Sequence, residues 1–214
     1  ENLVDCLVCT GALFEQDMLE ALGYNHYVQT EEIEDKTLQN LLIDRIYDHL
    51  LDEIELQHVD ETYKKIAKQM DSGNYSSREF MEYCGKWLSN VKDANDSVIL
   101  AAYEMNVPIF IPAINDCSIG IGLAMNQSEV KNGISIDSIK DLREIAKMKD
   151  LCGDSGIVIV GGGVPKNYSQ DSVVMAEMLG YKVKKHRFGI QISTADPRDG
   201  GCLLYTSPSP RDED

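Results

Sequence analysis

The apolar run Leu3–Cys9 is broken by Thr10-Gly11-Ala12. A short apolar run bounded by a glycine turn reads as a buried strand. Glu15–Leu22 reads as a short helix closed by Gly23. From Thr37 the apolar positions recur every three or four residues: Ile43, Ile46, Leu50 and Ile54, then Val59, Tyr63, Ile66 and Met70. This spacing predicts helix. Asp44, Asp48, Asp52, Glu53, Glu61 and Lys64 occupy the other faces, which reads as a solvated surface. Asp71–Asn74 is a break. Ser76-Ser77-Arg78-Glu79 is a capping box that opens a helix to about Leu88.

After Ser89 the rhythm becomes helix alternating with strand. Ser97–Met105 reads as helix, Val107–Pro112 as strand, Cys117–Asn126 as helix and Ile134–Ile136 as strand. Ser138–Lys149 is an amphipathic helix on Ile139, Leu142 and Ile145. Gly156–Val160 is a wholly apolar strand, followed by Gly161-Gly162-Gly163. Lys166–Leu179 is a helix ending at Gly180, and Phe188–Ser193 is a last strand. Apolar strands alternating with helices imply a parallel sheet covered on both faces. The predicted fold is therefore α/β, Rossmann-like and doubly wound, with a helical excursion at about 37–90. Residues 1–201 are expected to form a single domain. Its ligand is expected beyond the carboxyl ends of the strands.

Composition narrows the function classes. The chain has 214 residues, 43% hydrophobic, with 20 basic and 36 acidic side chains and a net charge of −16. Such a charge disfavours nucleic acid and anionic membranes as partners and favours cations. No apolar run reaches the roughly 18–20 residues that span a bilayer. Six cysteines, at 6, 9, 84, 117, 152 and 202, are scattered, and the opening residues carry no secretion signal. A reducing, cytoplasmic setting is expected. Cys6 and Cys9 form a C-x-x-C inside the apolar run, where small buried strand residues are expected rather than a redox pair. The four histidines are dispersed and no metal site is expected.

Residues 202–214 break the pattern. Cys202-Leu203-Leu204-Tyr205-Thr206-Ser207-Pro208-Ser209-Pro210-Arg211-Asp212 looks like a translated sequencing adapter, the alternative being a Ser/Pro-rich flexible tail. The chain accordingly reads as a fragment cut at both ends.

Three strand ends carry candidate chemistry. One is Thr10-Gly11-Ala12 with Glu15 and Gln16; the second is Pro112–Gly120; the third is Gly161–Asn167. A glycine triplet between strand and helix is either a plain tight turn or a loop that lets backbone N–H groups approach a phosphate. Asp116 is either a partner for a ribose hydroxyl or a cationic substrate, or the N-cap of the next helix. Thr194–Gly201 is either a surface turn or part of the same pocket.

Together these segments resemble the deoxyhypusine synthase family, in its bacterial and archaeal-like branch. The matching stretches are Val4–Ala12, Gly23–Tyr27, Ile43–Asp48, Ser77–Phe80, Val107–Ala113, Asp116–Gly120, Gly161–Asn167 and Ile190–Thr194, in order over nearly all of residues 3–201. The resemblance implies an NAD-dependent transfer of the aminobutyl group of spermidine to a lysine of a translation initiation factor 5A precursor. The group would be carried as a Schiff base on an enzyme lysine. It also implies a homotetramer. Position by position, Thr10, Gly11, Ala12, Gln16, Asp116, Gly163 and Thr194 match the NAD side. Glu15, Tyr168 and Asp199 match the substrate side.

The sequence departs from the family at three places. Ile121 stands where the family has a polyamine-binding acid, Tyr168 where it has a histidine, and Gln16 where it has the second acid of a Glu-Glu pair. The family's nucleophilic lysine lies past Gly201, so no catalytic residue is expected within 1–214. Two alternatives follow: a homospermidine synthase-like or other NAD-dependent polyamine enzyme, and a non-catalytic NAD-binding module.

Overall fold

In a computed structural model, residues 3–92 and 94–194 are described. Residues 202–214 and Asp199 lie outside them, and with them the expectation of an adapter tail. The chain divides into two compact units, Glu1–Ile136 and Asp137–Asp214.

In the first unit, β1 (Leu7–Val8) leads into α1 (Gly11–Ala21). Gly23, at φ +89°, turns the chain after α1, as its position predicts. β2 (Tyr27–Val28) and α2 (Asp35–Leu41) follow. Next come β3 (Ile43–Ile46), β4 (His49–Asp52), α3 (Glu53–Lys68), β5 (Gly73–Tyr75), α4 (Ser77–Leu88), α5 (Val98–Glu104), β6 (Ile109–Phe110), α6 (Ser118–Glu129) and β7 (Ile134–Ile136). β1 pairs with β6 and β5 with β7, both parallel, while β2, β4 and β3 form an antiparallel sheet.

The helical excursion at 37–90 is corrected. Ile43–Ile46 folds back on His49–Asp52 as a hairpin, with Tyr47 at φ +58° in the turn and Leu42 at φ +56° ending α2. Helix resumes only at Glu53, where the Asp52 carboxylate accepts the N–H groups of Ile54 and Glu55. The predicted break at Asp71–Asn74 runs into β5.

Phe14, Met18, Tyr63, Phe80, Ile99 and Ile119 are fully buried in the first unit's core. Each large apolar side chain removed from water contributes about 1.5–3 kcal/mol. α3 and α4 thus present one face to this core. The capping box is present: the Ser76 hydroxyl accepts from Glu79 N, and the Glu79 carboxylate accepts from Ser76 N.

The second unit holds α7 (Ser138–Cys152), β8 (Ser155–Val160), α8 (Val164–Met178) and β9 (His186–Ile192). β8 and β9 run parallel, with a bulge at Ser155/Gly156. The expected cover on both sheet faces is not found here. Ile159 is buried, but the two-residue period of a strand turns Val158 and Val160 the other way, beside Phe188, Ile190 and Ile192, and all five are more than half exposed. On α7, Ile145 is buried while Ile139 is 64% exposed, so the predicted apolar stripe begins one turn later. The molecule is α/β, and among the described residues parallel pairing is spread over three two-stranded sheets.

Candidate functional site

Leu7 N donates to Pro108 O at 3.0 Å and Cys9 N to Phe110 O at 3.1 Å. Because the pair is parallel, β1 and β6 end at the same edge. Thr10-Gly11-Ala12 is not a free turn but the start of α1, with Thr10 at the N-cap position. Gly11 is there because of what stands opposite. A Cβ on it would lie 2.2 Å from Cys117 Sγ and 2.7 Å from Cys117 Cβ. Any side chain at 11 would push the two strand ends apart.

Glu15, one turn into α1, reaches across to the second strand end: its Oε2 accepts Ser118 N at 2.8 Å. Ser118 opens α6, so this carboxylate satisfies one of the helix's orphan N–H groups and complements its dipole. The alternative reading of Asp116 as an N-cap is not seen. The N-cap position is Cys117, whose side chain donates instead to Ile114 O at 3.2 Å, and Asp116 is exposed. Gln16 is half-buried beside Glu15.

One residue was missed from sequence. Asp60 of α3 lies against α6, where a Cβ on Gly122 would stand 2.6 Å from its backbone oxygen. Burial pushes its carboxyl above the usual range, Ser118 pulls it down, and Glu15 and Glu61 push it up again. Nothing at position 60 announces this, because its partner is distant in sequence. Burial also raises the Cys9 thiol to about 11 and lifts that of Cys117. Neither has the stabilised thiolate that redox or nucleophilic work needs.

In the second unit, Gly161 and Gly163 hold φ of +84° and +78°. That conformation favours glycine. A Cβ at either would meet nothing within 4 Å, so the loop is open on its outer side. Gln191 ties it down: Nε2 donates to Gly161 O at 2.8 Å, and Oε1 accepts from the buried Lys166 Nζ at 3.0 Å. Tyr168 is half-buried on α8, and Thr194 is exposed after β9.

The structure therefore brings Thr10, Gly11, Ala12, Glu15, Gln16 and Asp116 to two adjoining strand ends of the first unit. Gly163, Tyr168 and Thr194 belong to the second unit.

Helix starts show a division. α3, α4, α5 and α7 begin on side-chain caps from Asp52, Ser76, Ser97 and Asp137. α1, α2, α6 and α8 begin on Thr10, Glu34, Cys117 and Gly163 with no bond from the cap side chain. Of these, α1, α6 and α8 follow the parallel strands β1, β6 and β8, and at α6 the Glu15 carboxylate takes the first N–H. Backbone N–H groups left at such starts suit an anion. Among the described residues, no three His, Cys, Asp or Glu side chains gather to hold a metal, and no helix is long and apolar enough to cross a membrane.

A family model for deoxyhypusine synthase matches residues 1–204. The chain belongs to the deoxyhypusine synthase family. It is 46% identical over 210 residues to the deoxyhypusine synthase-like protein of Coxiella burnetii, covering 96% of this chain and 59% of that one. Identity to the Chlorobaculum parvum protein of the same name is 48% over 202 residues, covering 93% and 58%. The Methanosarcina mazei protein named "Probable deoxyhypusine synthase 2" is 42% identical over 201 residues, covering 94% and 58%. In fold, the chain is similar to a crystal structure from Entamoeba histolytica, named as a candidate deoxyhypusine synthase, with a TM-score of 0.57 at 22% identity. That match covers 90% of this chain and 57% of the other. The chain thus spans somewhat more than half the length of these family members.

Proposed function

We propose that the full-length protein is an NAD-dependent transferase that moves the aminobutyl group of spermidine to a lysine of a translation initiation factor 5A precursor. In this reading, residues 1–201 supply its nucleotide-binding part, a Rossmann-like, doubly wound domain, in a cytoplasmic homotetramer. The observation that carries the nucleotide assignment is the Gly161–Gly163 loop, open above its glycines and leading into the uncapped start of α8. Family membership carries the transferase class.

The residues fit NAD. In the second unit, Gly163 and the first N–H groups of α8 would take phosphate oxygens; in the first unit, the N–H groups of α1 after Thr10 offer donors of the same kind. Ala12 presents no bulk, and Asp116, exposed and engaged by no cap, would accept a ribose hydroxyl. Gln16 and Thr194 complete the nucleotide side. When bound, the nicotinamide would supply a hydride acceptor and then a hydride donor. Glu15, Tyr168 and Asp199 are assigned to the amine, with the Glu15 carboxylate oriented by Ser118 N. The carrier lysine is assigned to the part of the protein beyond Gly201.

A second reading changes the acceptor. Ile121, half exposed on α6, offers no charge to an ammonium group where the family carries an acid. This favours a homospermidine-forming or related NAD-dependent polyamine enzyme. The remaining reading is a binding module that keeps NAD and lacks the chemistry.

Incubating the full-length protein with NAD, spermidine labelled in its butyl group, and either precursor protein or putrescine separates the three. Label on protein is the expected result. Label only in free polyamine supports the second reading. No label, with no lysine trapped by borohydride, supports the third.

A further inference from the structure

We infer that Lys166, acting through Gln191, is a positioning residue that fixes the Gly161 carbonyl and with it the Gly161–Gly163 loop. Where NAD affinity is measured the inference rests on the proposed nucleotide site. Where ligand-free exchange is measured it stands without that site.

Lys166 lies in the first turn of α8 and is 5% exposed. Burying an ammonium group is costly unless it is paired. Among the described residues no carboxylate pairs with it: its Nζ donates to the neutral Gln191 Oε1 at 3.0 Å. A methionine would fill much the same space without that cost. What the lysine adds is a donor held on one atom.

That bond decides which way Gln191 faces. A side-chain amide has an acceptor at one end and donors at the other, whereas an ammonium only donates. Lys166 therefore holds Oε1, and Nε2 is left to face the loop. There Nε2 donates to Gly161 O at 2.8 Å. The N–H of Gly161 donates to Ile192 O, also at 2.8 Å. The C=O and the N–H of Gly161 are thus tied to consecutive residues of β9. Gln191 also lies against the middle glycine, where a Cβ would stand 3.7 Å from Nε2. Glycines at φ of +84° and +78° have wide backbone freedom when unrestrained. The clamp removes that freedom before a ligand arrives, which lowers the ordering cost of binding.

The test is a double-mutant cycle in the full-length protein, read by NAD affinity, by urea unfolding and by ligand-free hydrogen exchange at the Gly161 amide. Lys166→Met and Gln191→Leu are each expected to weaken NAD binding about tenfold, the scale of one charge-assisted hydrogen bond. Each also leaves a polar group without its partner, so each should lower the urea midpoint. The double variant makes both partners apolar and should regain most of the midpoint. Its NAD affinity should stay as low as in the single variants, because Gly161 O still lacks its donor. Exchange at Gly161 should quicken about tenfold in Lys166→Met, the loss of one such bond, and stay quick in the double variant.

Affinity that recovers together with the midpoint would assign Lys166 to stability alone and overturn the inference. Parental affinity in Gln191→Leu beside a loss in Lys166→Met would place the ammonium on the ligand itself and overturn it equally. So would unchanged exchange at Gly161 in Lys166→Met. If the unaltered protein binds no NAD, the nucleotide reading fails by itself. Exchange at Gly161 in Lys166→Met and in the double variant then still decides the role of Lys166.

Discussion

The first unit contains two parallel strand pairs, β1–β6 and β5–β7, and each strand is followed by a helix. After β5 and β7 those helices start on Ser76 and Asp137, whose side chains take up the first free N–H groups. After β1 the helix starts on Thr10, whose side chain takes up none; after β6 it starts on Cys117, and there the first N–H, that of Ser118, goes to the Glu15 carboxylate of α1. The difference teaches where the molecule satisfies its own backbone and where it leaves donors for something else. β8, followed by uncapped α8, sides with β1.

The comparison breaks most sharply at Gly11. Gly11→Ala places a carbon 2.2 Å from Cys117 Sγ. Overpacking of this kind costs about 1–3 kcal/mol. Denaturant unfolding should show that loss, and calorimetry should show NAD binding abolished as the strand ends separate. Wild-type stability in this variant would contradict the close approach.

Next in size is the exchange of caps. Ser76→Ala removes the capping box and should cost about 1 kcal/mol on unfolding, with NAD affinity unchanged. Thr10→Asp does the reverse. Thr10 has the extended backbone of an N-cap, φ −72° and ψ 153°, so a carboxylate there would cap α1. It should add about 0.5–1 kcal/mol of stability while weakening NAD binding by at least fivefold through repulsion of phosphate. An Asp variant that binds NAD as well as the parent would place the nucleotide elsewhere.

A smaller effect belongs to the far end of β8 and β9. His186 Nδ1 shares a hydrogen bond with Ser155 Oγ at 2.9 Å, and Lys149 Nζ donates to the same oxygen at 2.9 Å. Burial, with help from Lys149, lowers the His186 pKa below its ordinary value. The unfolded chain then binds a proton near pH 6.5 that the folded chain refuses, so stability rises with pH across that range. Melting curves should lose stability as pH falls below about 6.5. His186→Gln should flatten that slope. A slope unchanged in the variant would assign it to other groups.

Smallest is a labelling contrast. Cys9, raised to about 11, should react with iodoacetamide far more slowly at pH 8 than exposed Cys152. Equal rates, read by mass spectrometry, would show that the end of β1 is open to solvent.

What the sequence disclosed follows the range of the interactions. The Ser76–Glu79 box and the Gly23 and Gly180 helix exits are local, and they were legible. The strand Ile134–Ile136 was also placed correctly. The hairpin at 43–52 was not. Ile43, Ile46, Leu50 and Ile54 happen to fall at helical spacing, and the turn at Tyr47-Asp48 lacks the Asn-Gly or Asp-Gly pair that marks a hairpin.

At the candidate site, Gly11 and Asp116 stood out in the sequence because they sit at strand ends. The reason for Gly11, the sulfur of Cys117, is a contact across two strands. The packing of Gly122 onto the Asp60 backbone oxygen was invisible for the same reason, since nothing local to either residue marks it.

The central claim, that the uncapped helix starts receive the nucleotide, is tested most directly by amide hydrogen exchange in the full-length protein with and without NAD. NAD is expected to slow exchange at Ala12 and Leu13 and at Val164 and Lys166, leaving Ser77–Glu79 and Ser138–Lys140 unchanged. Equal slowing at the capped starts, or none at the uncapped ones, would contradict the account.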